Sequence, residues 1–204
     1  MGARTLLVAA LAGMLVGCGS STKSSAPPST VSAPATTTQT TTGSAGALQA
    51  EANAAATGDI PDNQVFLTFR DRGAAWSMKY PEGWLQSGTS KNVSFRDKNN
   101  IVRVLVVRGQ HASATSIRSE LGAMAGTRVQ SGPQQLRVAG APAFKVVYTT
   151  VSAPNQVTGK RVTLVVDRYY LSRGNTEAIV DLGTPQGVDN VDAYRLMIES
   201  FRWK

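Results

Sequence analysis

The sequence predicts an α+β domain built on a mainly antiparallel sheet and preceded by a long polar segment. Apolar and polar residues alternate along much of residues 65–182, which is the period of half-buried strands. Short stretches rich in turn-forming residues join successive strands, as in hairpins. Two segments, near 113–125 and 189–201, instead repeat apolar residues at helical spacing. Helices packed against an antiparallel sheet define the α+β class.

Four strands are predicted before the first helix. Alternation of Val65, Leu67 and Phe69 marks the first strand, and Trp76 and Met78 begin the alternation of the second. The third and fourth strands, around 93–95 and 102–106, form a hairpin across 97–100. The predicted sheet therefore begins as a series of neighbouring antiparallel strands.

The second half repeats this arrangement between two helices. The first helix, at 113–125, places Ile117, Leu121 and Met124 on one face. Four more strands are predicted as the hairpins 136–148, with a turn at 139–142, and 161–182, with a turn at 172–175. Asp189 is the predicted N-cap of the final helix, whose apolar face runs through Val191 to Phe201.

The N-terminus is predicted to be a secretory leader with a lipid-attachment pattern. Arg4 precedes an apolar run at 5–16, which is too short to span a membrane. The run ends in Leu15-Val16-Gly17-Cys18, which resembles the lipobox of bacterial lipoproteins. That resemblance implies cleavage after residue 17, lipidation of Cys18 and attachment to the extracytoplasmic face of the cell membrane. The alternative is an ordinary secretory leader followed by a structural cysteine.

A composition change divides the rest of the chain. Residues 18–58 are rich in serine, threonine, proline and alanine, with almost no large apolar residue, so they are predicted to form a disordered linker. Residues 59–204 are predicted to form one folded domain. All but two of the 21 basic residues and all but one of the 13 acidic residues lie there, so the domain holds most of the net charge of +8.

No motif in the sequence specifies an enzyme or a cofactor. His111 is the only histidine and Cys18 the only cysteine, which leaves too few ligands for a zinc site. His111 has no nucleophile or orienting carboxylate at a recognisable spacing, so it is interpreted as a loop residue. We therefore expect no metal, no cofactor and no catalytic residue.

Basic residues supply the remaining functional signal. If the first four strands are neighbours, Arg70, Arg72, Arg96 and Lys98 gather at adjoining strand ends and form a partner-binding patch. The partner expected for it is an acidic envelope protein, a wall polymer or an anionic lipid. Nucleic acid is disfavoured because the leader predicts export. The alternative is a merely solvated basic surface.

Tyr80-Pro81-Glu82-Gly83-Trp84 follows the second predicted strand and suits a type I turn with Pro81 at its second position. Three features resemble the PsbP-like superfamily, which includes Mog and actinobacterial lipoproteins of the LpqN type. They are this stretch, the hairpin at 140–143 and the ending of the last helix at 200–202. The resemblance implies an α/β/α sandwich around an antiparallel sheet. Trp84 is either an exposed partner contact or, as the preferred interpretation, a ring packed on the sheet.

The family resemblance leaves the function open, because its members serve as assembly factors, accessory subunits and partner-binding modules. The leading hypothesis is a membrane-anchored, non-catalytic binding or assembly module. One alternative is an extracytoplasmic hydrolase whose site is assembled from dispersed Asp and Ser residues. The other is a carrier of a small apolar ligand, since a sheet covered by helices can enclose a cavity.

Overall fold

The computed structural model describes residues 57–70, 73, 75–155 and 159–204. The predicted leader, Cys18, nearly all of the predicted linker and Arg72 lie outside these residues. Neither helix in the described part of the chain is long and apolar enough to cross a membrane. The elements, in chain order, are β1 Phe66–Phe69, β2 Trp76–Pro81, β3 Leu85–Thr89, β4 Asn92–Asp97, β5 Asn100–Arg108, α1 Ala114–Ala123, β6 Arg128–Val138, β7 Ala141–Val151, β8 Thr163–Arg173, β9 Thr176–Pro185, α2 Val191–Glu199 and β10 Arg202–Trp203.

The strands form two sheets. Seven strands make the large sheet in the order β3-β4-β5-β9-β8-β7-β6, and three make a small sheet in the order β1-β2-β10. Every strand pairing in both sheets is antiparallel. The mainly antiparallel α+β architecture predicted from the sequence is confirmed.

A separate hydrophobic core covers each face of the large sheet. Along β9, Ala178, Val180 and Leu182 point into one core, whereas Ile179 points into the other, as strand alternation requires. The larger core holds residues of the small sheet and of α2, such as Trp76 and Met197, and the smaller core lies under α1. The domain therefore has three layers, with one helix on each face of the large sheet.

The first strands differ from the prediction. A strand that the sequence did not indicate, β3, lies between the second and third predicted strands, and all five of its residues are exposed. Its sequence, LQSGT, has no apolar alternation because neither of its faces is buried. β1 and β2 pair in the small sheet, so the first four predicted strands do not form one series of neighbours.

Both ends of the last helix also differ from the prediction. The N-cap of α2 is Asn190, so the prediction of Asp189 as N-cap is wrong, although an Asp189 side-chain oxygen accepts a hydrogen bond from the Val191 N–H at 3.2 Å. The helix stops at Glu199, where the Ser200 hydroxyl donates to the Met197 carbonyl and accepts from the Lys79 N–H. Phe201 follows the helix and packs into the larger core.

The Asn190 side chain makes no capping hydrogen bond to α2 and instead binds the chain at 58–60. Its carbonyl oxygen accepts a hydrogen bond from the Ile60 N–H at 2.8 Å, and its amide donates to the Gly58 carbonyl at 3.1 Å and to Thr184. Asn100, also buried, donates to the same Gly58 carbonyl at 2.5 Å. Two buried asparagines thus fix the chain at 58–60 against the ends of β5 and β9.

Two turns have conformations that their residues explain. At 80–84, the Trp84 N–H donates to the Pro81 carbonyl at 3.4 Å and Gly83 has φ +85°, which suits the third position of a type II turn. The predicted type I turn with Pro81 at its second position is therefore wrong by one residue. Between β6 and β7, Ala139 and Gly140 both have positive φ, 48° and 84°, as a two-residue hairpin loop of type I′ requires.

Candidate functional site

A buried ion pair lies in the middle of the large sheet, on the face that carries α1. Arg168 of β8 and Asp181 of β9 are opposite each other in register. Arg168 donates from Nε to Asp181 Oδ1 at 2.6 Å and from Nη2 to Oδ2 at 3.0 Å, which is a bidentate pair. The Arg168 side chain is 2% exposed and that of Asp181 is 7% exposed, so both charges depend on protein partners.

Two further charged residues complete the network. Arg103 of β5 donates from Nε and Nη2 to Asp181 Oδ2, at 3.1 and 2.8 Å. Glu120 of α1 accepts from Arg168 Nη1 at 2.6 Å and from the Tyr170 hydroxyl at 3.1 Å. Two arginines and two carboxylates therefore alternate, and their formal charges cancel. The network joins α1 to three neighbouring strands.

Burial and this network shift the pKa values of Arg168 and Tyr148. Burial disfavours the charged form of Arg168, but hydrogen bonds to Asp181 and its negative charge outweigh that effect and raise the Arg168 pKa above its usual range. Burial, reinforced by the charge of Asp181, raises the pKa of Tyr148 to about 12. Both groups therefore keep their protons at any physiological pH.

A groove opens beside the network, where the end of α1 leaves part of the sheet uncovered. It has a volume of about 660 Å³, within the range of ligand sites, and lies between the β4–β5 turn and the chain after β7. Arg103 and Asp181 lie on its floor. Most of its walls are apolar, from Leu85, Ile101, Met124, Val151, Leu164 and Val166.

Basic residues line one side of this groove. Arg96 and Lys98, two of the residues predicted to bind a partner, both line it and are exposed. The Lys98 ammonium lies 3.9 Å from a carboxylate oxygen of its neighbour Asp97. The Arg103 side chain is 37% exposed, so part of its guanidinium faces the groove even though it is paired with Asp181. The groove thus combines apolar walls with three cationic side chains.

The remaining predicted site residues lie elsewhere. Arg70 follows β1 of the small sheet, on the opposite side of the large sheet from the groove, so the predicted gathering of Arg70 with Arg96 and Lys98 does not form. Trp84 is 8% exposed and belongs to the larger core, as the preferred interpretation of its turn expects. That burial leaves little of the Trp84 ring for a partner.

His111 lies near one buried carboxylate. It is exposed and lines a second cavity, of about 530 Å³, together with Glu120 and Glu177. Burial raises the pKa of Glu177, whose carboxylate accepts from the Ala112 N–H at 2.6 Å and from the Ser172 hydroxyl at 3.2 Å. These bonds hold the loop before α1 against the sheet. No three side chains of the described residues come together as metal ligands.

Sequence reasoning missed the Arg168–Asp181 pair. A signal for it exists, because a charged residue interrupts each of two apolar strands at Asp167-Arg168 and at Asp181. Alternation alone cannot show that Arg168 and Asp181 share a buried face, because that depends on how β8 and β9 pair.

The layers and the groove define an α+β sandwich domain with a ligand-sized cleft. No protein-family model matches the sequence, and no curated protein matches it. Among solved structures, cyanobacterial PsbP from Synechocystis sp. PCC 6803 is similar with a TM-score of 0.51 at 12% identity, over 72% of this chain and 98% of that protein. At this identity the likeness shows the fold alone, and it confirms the predicted PsbP-like fold.

Other solved structures are similar at lower scores. The Ran-binding protein Mog1p of Saccharomyces cerevisiae has a TM-score of 0.44 at 12% identity, over 69% of this chain and 96% of that one. LpqN of Mycobacterium tuberculosis, described as involved in cell envelope biogenesis, has a TM-score of 0.35 at 10% identity, over 69% of this chain and 84% of that one. A Bacteroides thetaiotaomicron protein has a TM-score of 0.45 at 15% identity over 67% of this chain, which spans only about half of its length, 48%.

Proposed function

We propose that this protein is a membrane-anchored extracytoplasmic lipoprotein whose domain is a non-catalytic binding or assembly module, with its partner held in the groove. The observation that carries the proposal is the groove itself, in which Arg96, Lys98 and Arg103 stand beside apolar walls. Apolar surface supplies binding energy, and a few placed charges orient the ligand. The lipobox-like sequence ending in Cys18 is the basis for the anchor.

The hydrogen bonds around the groove favour binding over catalysis. A general base needs a lone pair that can take a proton from a substrate. Asp181 accepts four hydrogen bonds from two arginines, and Glu120 accepts from Arg168 and Tyr170. These carboxylates are thus engaged in holding the sheet and α1 together. Reproducible turnover of an envelope substrate by the purified protein would contradict the proposal.

The charges of the groove favour an acidic partner. Arg96, Lys98 and Arg103 face two carboxylates there, those of Asp97 and Asp181, which leaves one positive charge in excess. Asp181 is also neutralised from below by Arg168. Charge complementarity of this kind governs partner choice and the rate of association. We therefore propose an acidic envelope protein as the partner.

Affinity capture from envelope extracts tests this role, with the full-length tagged chain as bait. Arg96→Glu reverses a charge in the groove, and Arg70→Glu makes the same change beside the small sheet. We expect the wild type and Arg70→Glu to recover the same acidic protein and Arg96→Glu to recover about tenfold less. Equal recovery by the two variants would contradict the groove as the binding site.

The anchor has a separate test. Acylation requires the thiol of Cys18, so Cys18→Ser is expected to abolish incorporation of a fatty-acid probe in cells. The released or unprocessed chain should leave the membrane fraction. A serine variant that keeps the label would refute the assignment of Cys18.

A further inference from the structure

The two outer strands of the large sheet differ in how they are protected. An outer strand exposes unpaired backbone N–H and C=O groups that can pair with another chain. β6, at one side, carries Arg128, Pro133 and Arg137, and its pairing with β7 has two register irregularities. Charges, proline and irregular pairing are the features by which outer strands avoid further pairing. The β6 side is therefore protected.

β3, at the other side, has none of these features. Its residues, LQSGT, include no charge and no proline, and each of the five is exposed. Leu85, at its start, is 71% exposed although it is apolar. β3 pairs with β4 in continuous register from Leu85 to Thr89, but Gly88 has φ +91°, so the stretch offered as a template is 85–87. Within the sheet as described, β3 is the final strand on that side.

The hairpin of β3 and β4 is also basic. Arg96 lies opposite Leu85 in register, and Lys91 is exposed in the turn between the strands. Lys98 follows β4, and Asp97 is the only acidic residue from 85 to 98. A strand added beside β3 would therefore lie close to a net positive charge.

We propose that β3 is a docking strand for an extended, acidic segment of a partner protein. The segment adds to the sheet beside β3 through main-chain hydrogen bonds, an established mode of peptide recognition. Leu85 and Arg96 are opposite in register and share one face of the sheet, so acidic side chains on that face of the added segment complement Arg96, and those near the β3–β4 turn complement Lys91. This inference goes beyond the groove: it shares Leu85 and Arg96 with the groove lining, whereas Lys91 and the rest of β3 lie outside that lining.

Synthetic probes test the docking strand with the full-length protein. The first probe is a fluorescein-labelled decapeptide of alternating valine and glutamate, which favours an extended conformation. The second has lysine in place of glutamate, and the third keeps glutamate but carries N-methyl groups on alternate backbone nitrogens. N-methylation removes main-chain donors without changing charge. We expect the first probe to bind and the other two to bind about tenfold more weakly, by fluorescence anisotropy.

Protein variants and hydrogen exchange locate the contact. Lys91→Glu should weaken binding of the first probe about fivefold or more, whereas Arg118→Glu, an exposed charge reversal on α1, should leave it unchanged. Hydrogen exchange measured with the probe bound should show new protection of backbone amides in β3 and none in β6. Lys98→Glu separates this inference from the groove, because it should impair capture of the envelope partner more than probe binding.

Three results would overturn the docking strand. One is the absence of binding by the acidic probe at millimolar concentration, and another is equal binding by the N-methylated probe. The third is new amide protection confined to β5, β7, β8 and β9, which line the groove away from β3, or to β6. Each of these outcomes leaves the capture experiment for the groove unaffected.

Discussion

Replacing Asp181 with asparagine should destabilise the domain strongly. Asp181→Asn keeps the size of the side chain and removes its negative charge. The wild-type carboxylate accepts two hydrogen bonds from Arg168, at 2.6 and 3.0 Å, and two from Arg103, at 3.1 and 2.8 Å. Asparagine offers one acceptor oxygen, and its NH₂ group faces arginine donors. Arg168 is then left with Glu120 as its only ionic partner.

The expected cost follows from the exposure of the two arginines. Arg103 is 37% exposed and can turn towards water, so its lost pairing adds little. The Arg168 side chain is 2% exposed and cannot regain solvent without opening the core under α1. Removing one partner of a buried ion pair costs about 3–5 kcal/mol. We therefore expect the free energy of unfolding to fall by about 3 kcal/mol or more.

Urea denaturation at pH 7, followed by tryptophan fluorescence, measures this loss. Asp167→Asn is the matched control, because Asp167 pairs with Lys145 at 2.6 Å but their side chains are 27% and 29% exposed. The control should lose about 1 kcal/mol or less. A second variant, Arg168→Met with Asp181→Leu, should be more stable than Asp181→Asn because no unpaired charge stays buried. A loss for Asp181→Asn no larger than that of the control would refute the reasoning.

Three other substitutions, one of them with a control, test the core, one turn and one pKa. Trp84→Ala should lower the free energy of unfolding by about 3–5 kcal/mol, because it is a large-to-small core change. The control Leu85→Ala, at an exposed position, should change it by less than about 0.5 kcal/mol. Equal thermal melts of the two variants would place Trp84 outside the core. Ala139→Asn should raise stability by up to about 1 kcal/mol, because asparagine tolerates the positive φ of 48° better than alanine, and an unchanged urea midpoint would contradict this. The raised pKa of Tyr148 means that the folded state holds the hydroxyl proton more tightly than the unfolded state does. The resulting contribution to the stability of the fold is present below about pH 10 and is lost as the pH rises towards the folded-state pKa of about 12. Tyr148→Phe should therefore flatten the fall of stability over that range in alkaline urea titrations, and parallel curves would disprove the shift.

The parts of the fold that follow from local pattern were predictable from the sequence. Strands in which buried and more exposed residues alternate, such as β2 and β4, show that alternation in the sequence, and α1 shows a regular apolar face. β3 escaped prediction because it buries neither face and so has no apolar period. The pairing of β1 and β2 in a separate sheet depends on long-range packing, which alternation does not encode.

The groove was predictable only in part. Arg96 and Lys98 follow from local charge density and do lie together, because both belong to the β4–β5 hairpin. Arg70 is near them in sequence, yet the switch of β1 to the small sheet carries it to another layer. The Arg168–Asp181 pair depends on the register in which β8 pairs with β9. A slip of one residue in that register would place the two side chains on opposite faces of the sheet.

The buried asparagine pair also decides how the domain bears a mechanical load. A pull on the chain from its N-terminal side meets Gly58 and Ile60 first, and Asn100 and Asn190 hold these residues to the ends of β5 and β9. The force therefore passes into the middle of the large sheet before it reaches β1, the edge of the small sheet. β1 is in this way shielded from being peeled away strand by strand. Asn190→Ala should transfer that load to β1 and lower the unfolding force recorded when single molecules are stretched from the N-terminus.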